Sequence, residues 1–221
     1  MTASYPAAET ALLARYGSST PPGPLNDITA RLLEHRSVRD YADKPVSDDI
    51  LRVAIAAAQS ASTSSNLQAW TVVAVRDRAK LAKLAQLAGG QEHVANAPLF
   101  LAWILDLSRL RRLGKAVGTP AVATDYLEMY TVGAVDVALA AQNAVVALES
   151  YGLGIVYIGG MRNHPEEAAR EFGLPEGSVV LFGMCVGYPD PSLPADIKPR
   201  LPQSSVLHFE RYDASKEAAE V

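Results

Sequence analysis

Two pairs of cations stand far apart in the sequence, each held at close spacing: Arg36 and Arg39 within His35-Arg36-Ser37-Val38-Arg39-Asp40-Tyr41, and Lys198 with Arg200 on either side of Pro199. Arginine at the end of a helix ordinarily complements the negative end of the helix dipole, and the first cluster alone needs no other explanation. The second cluster changes that, because Pro199 rigidly spaces two more cations inside an extended stretch. Two such clusters form a pair of jaws for one anionic ligand. Between them in sequence lie a hydroxyl-rich turn, Ser62-Thr63-Ser64-Ser65-Asn66-Leu67-Gln68, and a glycine turn after an apolar run, Tyr157-Ile158-Gly159-Gly160. Both turns are suited to hydrogen-bonding a polar, planar molecule.

Other chemistries fit less well. The histidines His35, His93, His164 and His208 are scattered, without the spacing of a metal site. Gly152, Gly154 and Gly159 follow a helix and precede a strand, the reverse of a dinucleotide-binding fingerprint. The serine cluster lacks the Gly-x-Ser-x-Gly context of a hydrolase and has no recognisable acid–histidine pair beside it. No catalytic side chain and no metal ligand are therefore named.

Helices, strands and turns must position the four groups. A helical segment over residues 7–16 precedes Gly17-Ser18-Ser19-Thr20-Pro21-Pro22-Gly23-Pro24, which cannot hold a helix and reads as a linker. Residues 1–24 are thus an appendage, residues 25–212 the main domain and residues 213–221 a short tail. Asn26 caps a helix that delivers His35 at its end, and Ser47 with Asp48 and Asp49 starts another that runs to about Ser60. Thr71–Val75 reads as a strand covered on both faces, and Leu99–Leu105 as a second buried strand closing at Asp106. Leu81, Leu84 and Leu87 stripe a helix that Gly89-Gly90 ends, immediately before Gln91. Ser108–Thr124 is polar, basic and glycine-containing, and reads as an exposed excursion or lid. Met129–Tyr151 is the longest helix, apolar almost all round; strands at Ile155–Ile158 and Val179–Val186 flank a short helix at Pro165–Phe172, and an extended tail runs from Pro189 to Tyr212.

A formal charge of −4 argues against nucleic-acid binding through phosphate neutralisation. The single cysteine, Cys185, lies in an apolar run and reads as a buried thiol, which fits a reducing cytoplasm. The N-terminus has no secretory signal character, and the apolar helix carries Asp136, Gln142, Asn143 and Glu149, so no membrane span is expected.

The ordered series His35-Arg36-Ser37-Val38-Arg39, Ser64-Ser65-Asn66-Leu67-Gln68, Gly90-Gln91-Glu92-His93-Val94, Ala141-Gln142-Asn143, Gly152-Leu153-Gly154, Tyr157-Ile158-Gly159-Gly160-Met161-Arg162-Asn163 and Lys198-Pro199-Arg200-Leu201-Pro202 resembles the nitroreductase superfamily. Within it, the series is most similar to the oxygen-insensitive NADPH nitroreductases and NADPH-flavin reductases. The resemblance implies an α+β fold with a central, mostly antiparallel β-sheet flanked by helices, in an intertwined homodimer with the long helix at its interface. It implies FMN held by His35, Arg36, Ser37, Arg39, Thr63, Ser65, Gln91, Ile158, Gly159, Gly160, Lys198 and Arg200, with Ser64, Asn66, Gln68 and Tyr157 in the same motifs and the serine segment coming from the other subunit. The reductant is NADPH or NADH, because relatives continue past the position of Tyr212 into helical turns that read NADPH, whereas this sequence stops at Val221. Arg109, Arg111 and Arg112 are candidates for a replacement contact.

These residue types suit that cofactor. A phosphate dianion is best met by guanidinium forks and a lysine, as in Arg36, Arg200 and Lys198. A fixed cation such as Arg39 would stabilise negative charge on the reduced ring, and Gln91 can donate and accept at its pyrimidine edge. An N–H of Gly159 or Gly160 could approach the ring where no Cβ intervenes. The activity expected is transfer of hydride from nicotinamide to flavin and on to a small aromatic acceptor, a nitro compound or quinone. The alternatives are a flavin reductase feeding a monooxygenase, a dedicated biosynthetic flavoenzyme, or a flavin-binding sensor or scaffold.

Overall fold

The computed structural model describes residues 4–215, so the run Lys216 to Glu220 of the expected tail lies outside the described residues. Contacts divide the chain into two units, one from the described parts of residues 1–36 and 196–221, the other from residues 37–195. In chain order the elements are α1 (Pro6–Tyr16), α2 (Asp27–Leu33), α3 (Asp48–Gln59), β1 (Trp70–Val75), α4 (Arg78–Leu87), α5 (Glu92–Asn96), β2 (Leu99–Asp106), α6 (Ser108–Ala116), α7 (Leu127–Ser150), β3 (Gly154–Ile158), α8 (Pro165–Phe172), β4 (Ser178–Gly187) and α9 (Gln203–Val206).

In the larger unit four strands pair in the order β1-β2-β4-β3, each pair antiparallel. Period-two alternation along β2 divides the core. Leu99, Leu101, Trp103 and Leu105 face Val137, Ala140, Ala141, Ala144 and Leu148 of α7, whereas Phe100, Ala102 and Ile104 face Leu81 and Leu84 of α4 and Ala168 of α8. Close approach of α7 depends on Gly133, where a Cβ would come within 3.0 Å of the Leu105 side chain. The buried stripe of α7 leaves Val135 and Leu139 exposed and Val132 and Val146 half-buried on its other side.

The first strand is covered on both faces as expected, with Trp70 and Val72 packed on the α7 side and Val73 and Val75 on the α4 side. It is nevertheless an edge strand, and most of its residues are only half-buried, because among the described residues one side of its ladder has no neighbour. The excursion after Asp106 is largely the helix α6. The Asp106 carboxylate accepts the Arg109 N–H at 3.2 Å in that helix's first turn, while hydroxyls of Thr71, Ser108 and Ser178 converge on the same carboxylate. Burial pushes the Asp106 carboxyl upward in pKa, but these hydrogen bonds together outweigh it and hold the group below its ordinary range.

In the smaller unit α1 buries Ala8, Ala11 and Leu12. Asn26 caps α2 in a reciprocal box with Thr29, each side chain bonding the other's backbone N–H at 2.9 Å. The tail, expected to be extended throughout, contains the short helix α9.

Candidate functional site

Arg15, at the end of α1, organises the smaller unit's cations. It is only 7% exposed. Its Nε donates to the Leu33 carbonyl at 3.1 Å, its Nη2 to that of His35 at 2.5 Å and its Nη1 to that of Lys198 at 3.3 Å. Its own carbonyl, left without a partner in the last turn of α1, accepts the Arg200 N–H at 3.0 Å. The segments carrying His35, Arg36, Lys198 and Arg200 are thereby joined, with Arg36, Lys198 and Arg200 exposed. Three of these groups are permanent or near-permanent cations at neutral pH, a donor set that suits a dianion.

In the larger unit the hydroxyl-rich turn is anchored by Asp136 of α7, which is 2% exposed. Its carboxylate accepts the Thr63 hydroxyl at 2.6 Å, the Ser64 N–H at 3.2 Å and the Ala69 N–H at 3.2 Å. Thr63 in turn accepts the Gln68 N–H at 2.9 Å. The Thr63 hydroxyl is thus employed inside the turn. Around this pin Ser65, Asn66 and Gln68 adopt φ of 50°, 55° and 50°, left-handed conformations that non-glycine residues seldom take. Such strain persists only where surroundings enforce it, and it concentrates at functional sites.

The glycine turn leaves β3 as a single tight turn, Gly159–Arg162. Arg162 ties it to β4 by donating to the Leu181 carbonyl at 2.6 Å. A Cβ on Gly160 would sit 2.6 Å from the Ala88 carbonyl oxygen and 3.0 Å from Gln91 Nε2. The room left by the missing side chain is therefore filled by the protein. This packing brings Gln91 beside Gly160, with its Nε2 donating to the Ala88 carbonyl at 2.7 Å and its side-chain oxygen left as the acceptor. Ile158 is buried in the core on the α4 side, so only its backbone can meet a ligand. Tyr157 points to the opposite face, edge-on to Phe182 with ring centroids 5.2 Å apart, and burial with the nearby Glu149 raises its hydroxyl pKa.

Ser37 forms a parallel bridge to Ile155, and the Val38 N–H donates to the Ile155 carbonyl at 2.8 Å, so this strand-like segment runs beside β3. Arg39 lines a cavity of about 430 Å³ with Tyr41, His93 and Asp190. Desolvation and then the Arg39 cation lower the pKa of His93, whose Nε2 is buried without a hydrogen-bond partner. The excursion's arginines are engaged within the chain: Arg109 on the carbonyls of Gln68 and Trp70, Arg111 on Thr124 and Asp125, Arg112 on Ser108. Among the described residues no group of three or more His, Cys, Asp or Glu could hold a metal ion.

One separation stands out. The hydroxyl turn leads into β1 and the glycine turn leaves β3, the two opposite edges of the sheet. Three strand spacings, about 14 Å, lie between those edges. Of the expected residues, the fold thus gathers Gln91 with Gly159 and Gly160, and Ser37 beside β3, but holds the Thr63–Gln68 turn apart from them. Sequence reasoning missed Arg15 altogether and read Asp136 only as an obstacle to membrane insertion. A lone acid on an apolar stripe, between Gly133 and Ala140, was the available signal for the second.

Comparison with known proteins agrees with the resemblance. NADPH-flavin oxidoreductase from Vibrio harveyi is 42% identical over 188 residues, 85% of this chain and 75% of that protein. Oxygen-insensitive NADPH nitroreductase from Salmonella typhimurium is 41% identical over 181 residues, 82% of this chain and 72% of that protein. The solved structure of B. megaterium NfrA2 superposes with a TM-score of 0.84 at 40% identity, covering 88% of this chain and 78% of that one. NADPH:FMN oxidoreductase from Vibrio harveyi in complex with NAD+ gives 0.80 at 39% identity, over 88% and 83% of the two chains. The family model described as Nitroreductase matches residues 32–188, and the chain belongs to the nitroreductase family.

Proposed function

We propose that this chain is an FMN-dependent NAD(P)H oxidoreductase that works as a cytoplasmic homodimer on small nitroaromatic or quinone acceptors. The observation that carries the reading is the set of cations joined through Arg15, which suits the phosphate of a mononucleotide. FMN fits the residues present. Arg36, Lys198 and Arg200 match the phosphate dianion, with His35 beside them. The Gln91 oxygen, with its amide fixed by the Ala88 contact, would accept from an imide N–H such as the flavin pyrimidine carries. The backbone of Ile158, Gly159 and Gly160 offers further polar groups at the end of β3, with Tyr157 and Ser37 close by in the sequence of contacts.

When bound, FMN supplies the hydride acceptance from a nicotinamide and the later delivery to the acceptor. The chain's residues bind and orient, and no side chain is assigned a covalent or proton-transfer role. Arg39 would supply a permanent cation that favours an anionic reduced ring. Ser64, Ser65, Asn66 and Gln68 hold hydroxyl and amide groups on a turn whose shape Asp136 fixes. One ligand that meets both this turn and the Gly159–Gly160 turn needs the turn of a second subunit, since the two lie at opposite sheet edges. The apolar outer side of α7, with Val132, Val135, Leu139 and Val146, is the surface that such a subunit would cover. By length and composition α7 is also apolar enough to cross a membrane, but 44% of its most apolar window is buried inside the protein, as in a core helix.

An anaerobic visible spectrum of the purified protein, recorded before and after NADH or NADPH, tests the reading. A yellow protein bleached by one nucleotide is expected and identifies the donor. A protein that takes up no FMN overturns it. The Vibrio harveyi relative is named an NADPH-flavin oxidoreductase, which favours a second reading in which free flavin is the acceptor and the reduced flavin is released. A coupled monooxygenase assay separates the two, because only released reduced flavin drives it.

A further inference from the structure

We propose that Arg15 is the positioning residue that makes the cation cluster selective for a phosphate monoester, so that the N-terminal helix is part of the cofactor site. This rests on the FMN reading above. The guanidinium is planar, with its donors in a fixed fork. Three carbonyls, those of Leu33, His35 and Lys198, therefore meet it at separations set by one rigid group. The fourth link runs the other way, from the Arg200 N–H to the Arg15 carbonyl. Every one of the four cation-bearing positions His35, Arg36, Lys198 and Arg200 is thus either bonded to Arg15 through its own backbone or next in sequence to a residue that is.

One feature distinguishes this from an ordinary helix-end contact. A carbonyl bonded to Arg15 is turned towards it, so the backbone of His35 and Lys198 does not present negative dipoles to a phosphate held by their neighbours' side chains.

The test compares FMN with riboflavin, which has the same ring but no phosphate, by flavin fluorescence quenching on the full chain. The wild type is expected to prefer FMN strongly. Arg15→Met should weaken FMN binding by about 30-fold and riboflavin binding by no more than about threefold, so that the preference collapses. Arg15→Lys, which keeps the charge without the fork, should restore the preference only in part. If Arg15→Met does not fold, as circular dichroism would show, a fall in preference of about fivefold or more in Arg15→Lys supports the proposal. An unchanged FMN-to-riboflavin ratio in the variants that fold, or equal weakening of both ligands, overturns it and leaves Arg15 a packing residue. A wild type that binds neither flavin, or binds both equally, brings down the FMN reading itself.

Discussion

The two segments expected to face the ligand are held by mirror-image devices. Around the cations, one buried positive side chain collects carbonyl oxygens; around the hydroxyls, one buried negative side chain collects donors. In each case the pin has the sign of charge that its own backbone partners require. The difference lies in the supports. Asp136 sits mid-helix on the buried stripe of α7, so its turn inherits the rigidity of the core and can hold three left-handed residues in strained conformations. Arg15 stands at the end of a helix and joins two chain segments whose cations remain exposed. A rigid pin suits groups that must meet one face of a ring, whereas the cation segments need spacing more than strain.

The comparison is broken most forcefully at Asp136. Asp136→Ala leaves a hydroxyl and two backbone N–H groups without their acceptor, and should destabilise the protein by about 4 kcal/mol in urea titration. Asp136→Asn, which keeps one acceptor oxygen, should recover part of that. At the cation side stability should hardly move. Arg36→Ala and Arg200→Ala are each expected to weaken FMN binding by about 2 kcal/mol, or roughly thirtyfold by fluorescence titration, with little change in melting temperature. Unchanged flavin retention in both would remove the phosphate site. Thr63→Val keeps the shape but deletes one donor and one acceptor within the turn; a loss of about 1 kcal/mol in stability is expected, and no change would mean that Asp136 acts through backbone alone.

The smallest effect is one of pH. Because the folded state lowers the pKa of His93, the unfolded chain takes up its proton first as pH falls, and stability drops from about pH 7 downwards through the histidine range. His93→Gln should flatten that part of the wild-type curve. A curve of unchanged slope would exclude His93 as the group responsible.

Local signals in the sequence located most elements. Asn26 and Ser47 do cap α2 and α3, and the continuous apolar run at Leu99–Leu105 does form a central strand with both faces buried. Burial of Cys185 pushes its thiol up to about 12, in keeping with an inert core residue. What neighbours in space decide was less legible. Val72 and Val73 are as apolar as the residues of β2 and pack on the two faces of the sheet, yet they stay half-buried because their strand has a partner on one side only. Ser108–Ala116, read as part of an exposed excursion, is a helix, with Asp106 accepting an N–H in its first turn. Arg15 gave no warning, because an arginine in the last turn of a helix is what the dipole alone would select, and its partners lie up to 183 residues away. The side chain that needed the fewest assumptions to find was Asp136, since a charge on a buried stripe demands partners.

That sequence separation also fixes an order in time. Closing a loop of 183 residues on its own would cost on the order of 5 kcal/mol in chain entropy before any of Arg15's bonds could compensate. The larger unit removes most of that cost, because the Asp190 N–H donates to the Asp40 carbonyl and brings the two exits of the unit together. Once the sheet has folded, only the short stretches on either side remain to be ordered. During synthesis the Arg15 side chain must wait for Lys198 to emerge, so the cation cluster is assembled last, on a scaffold already complete.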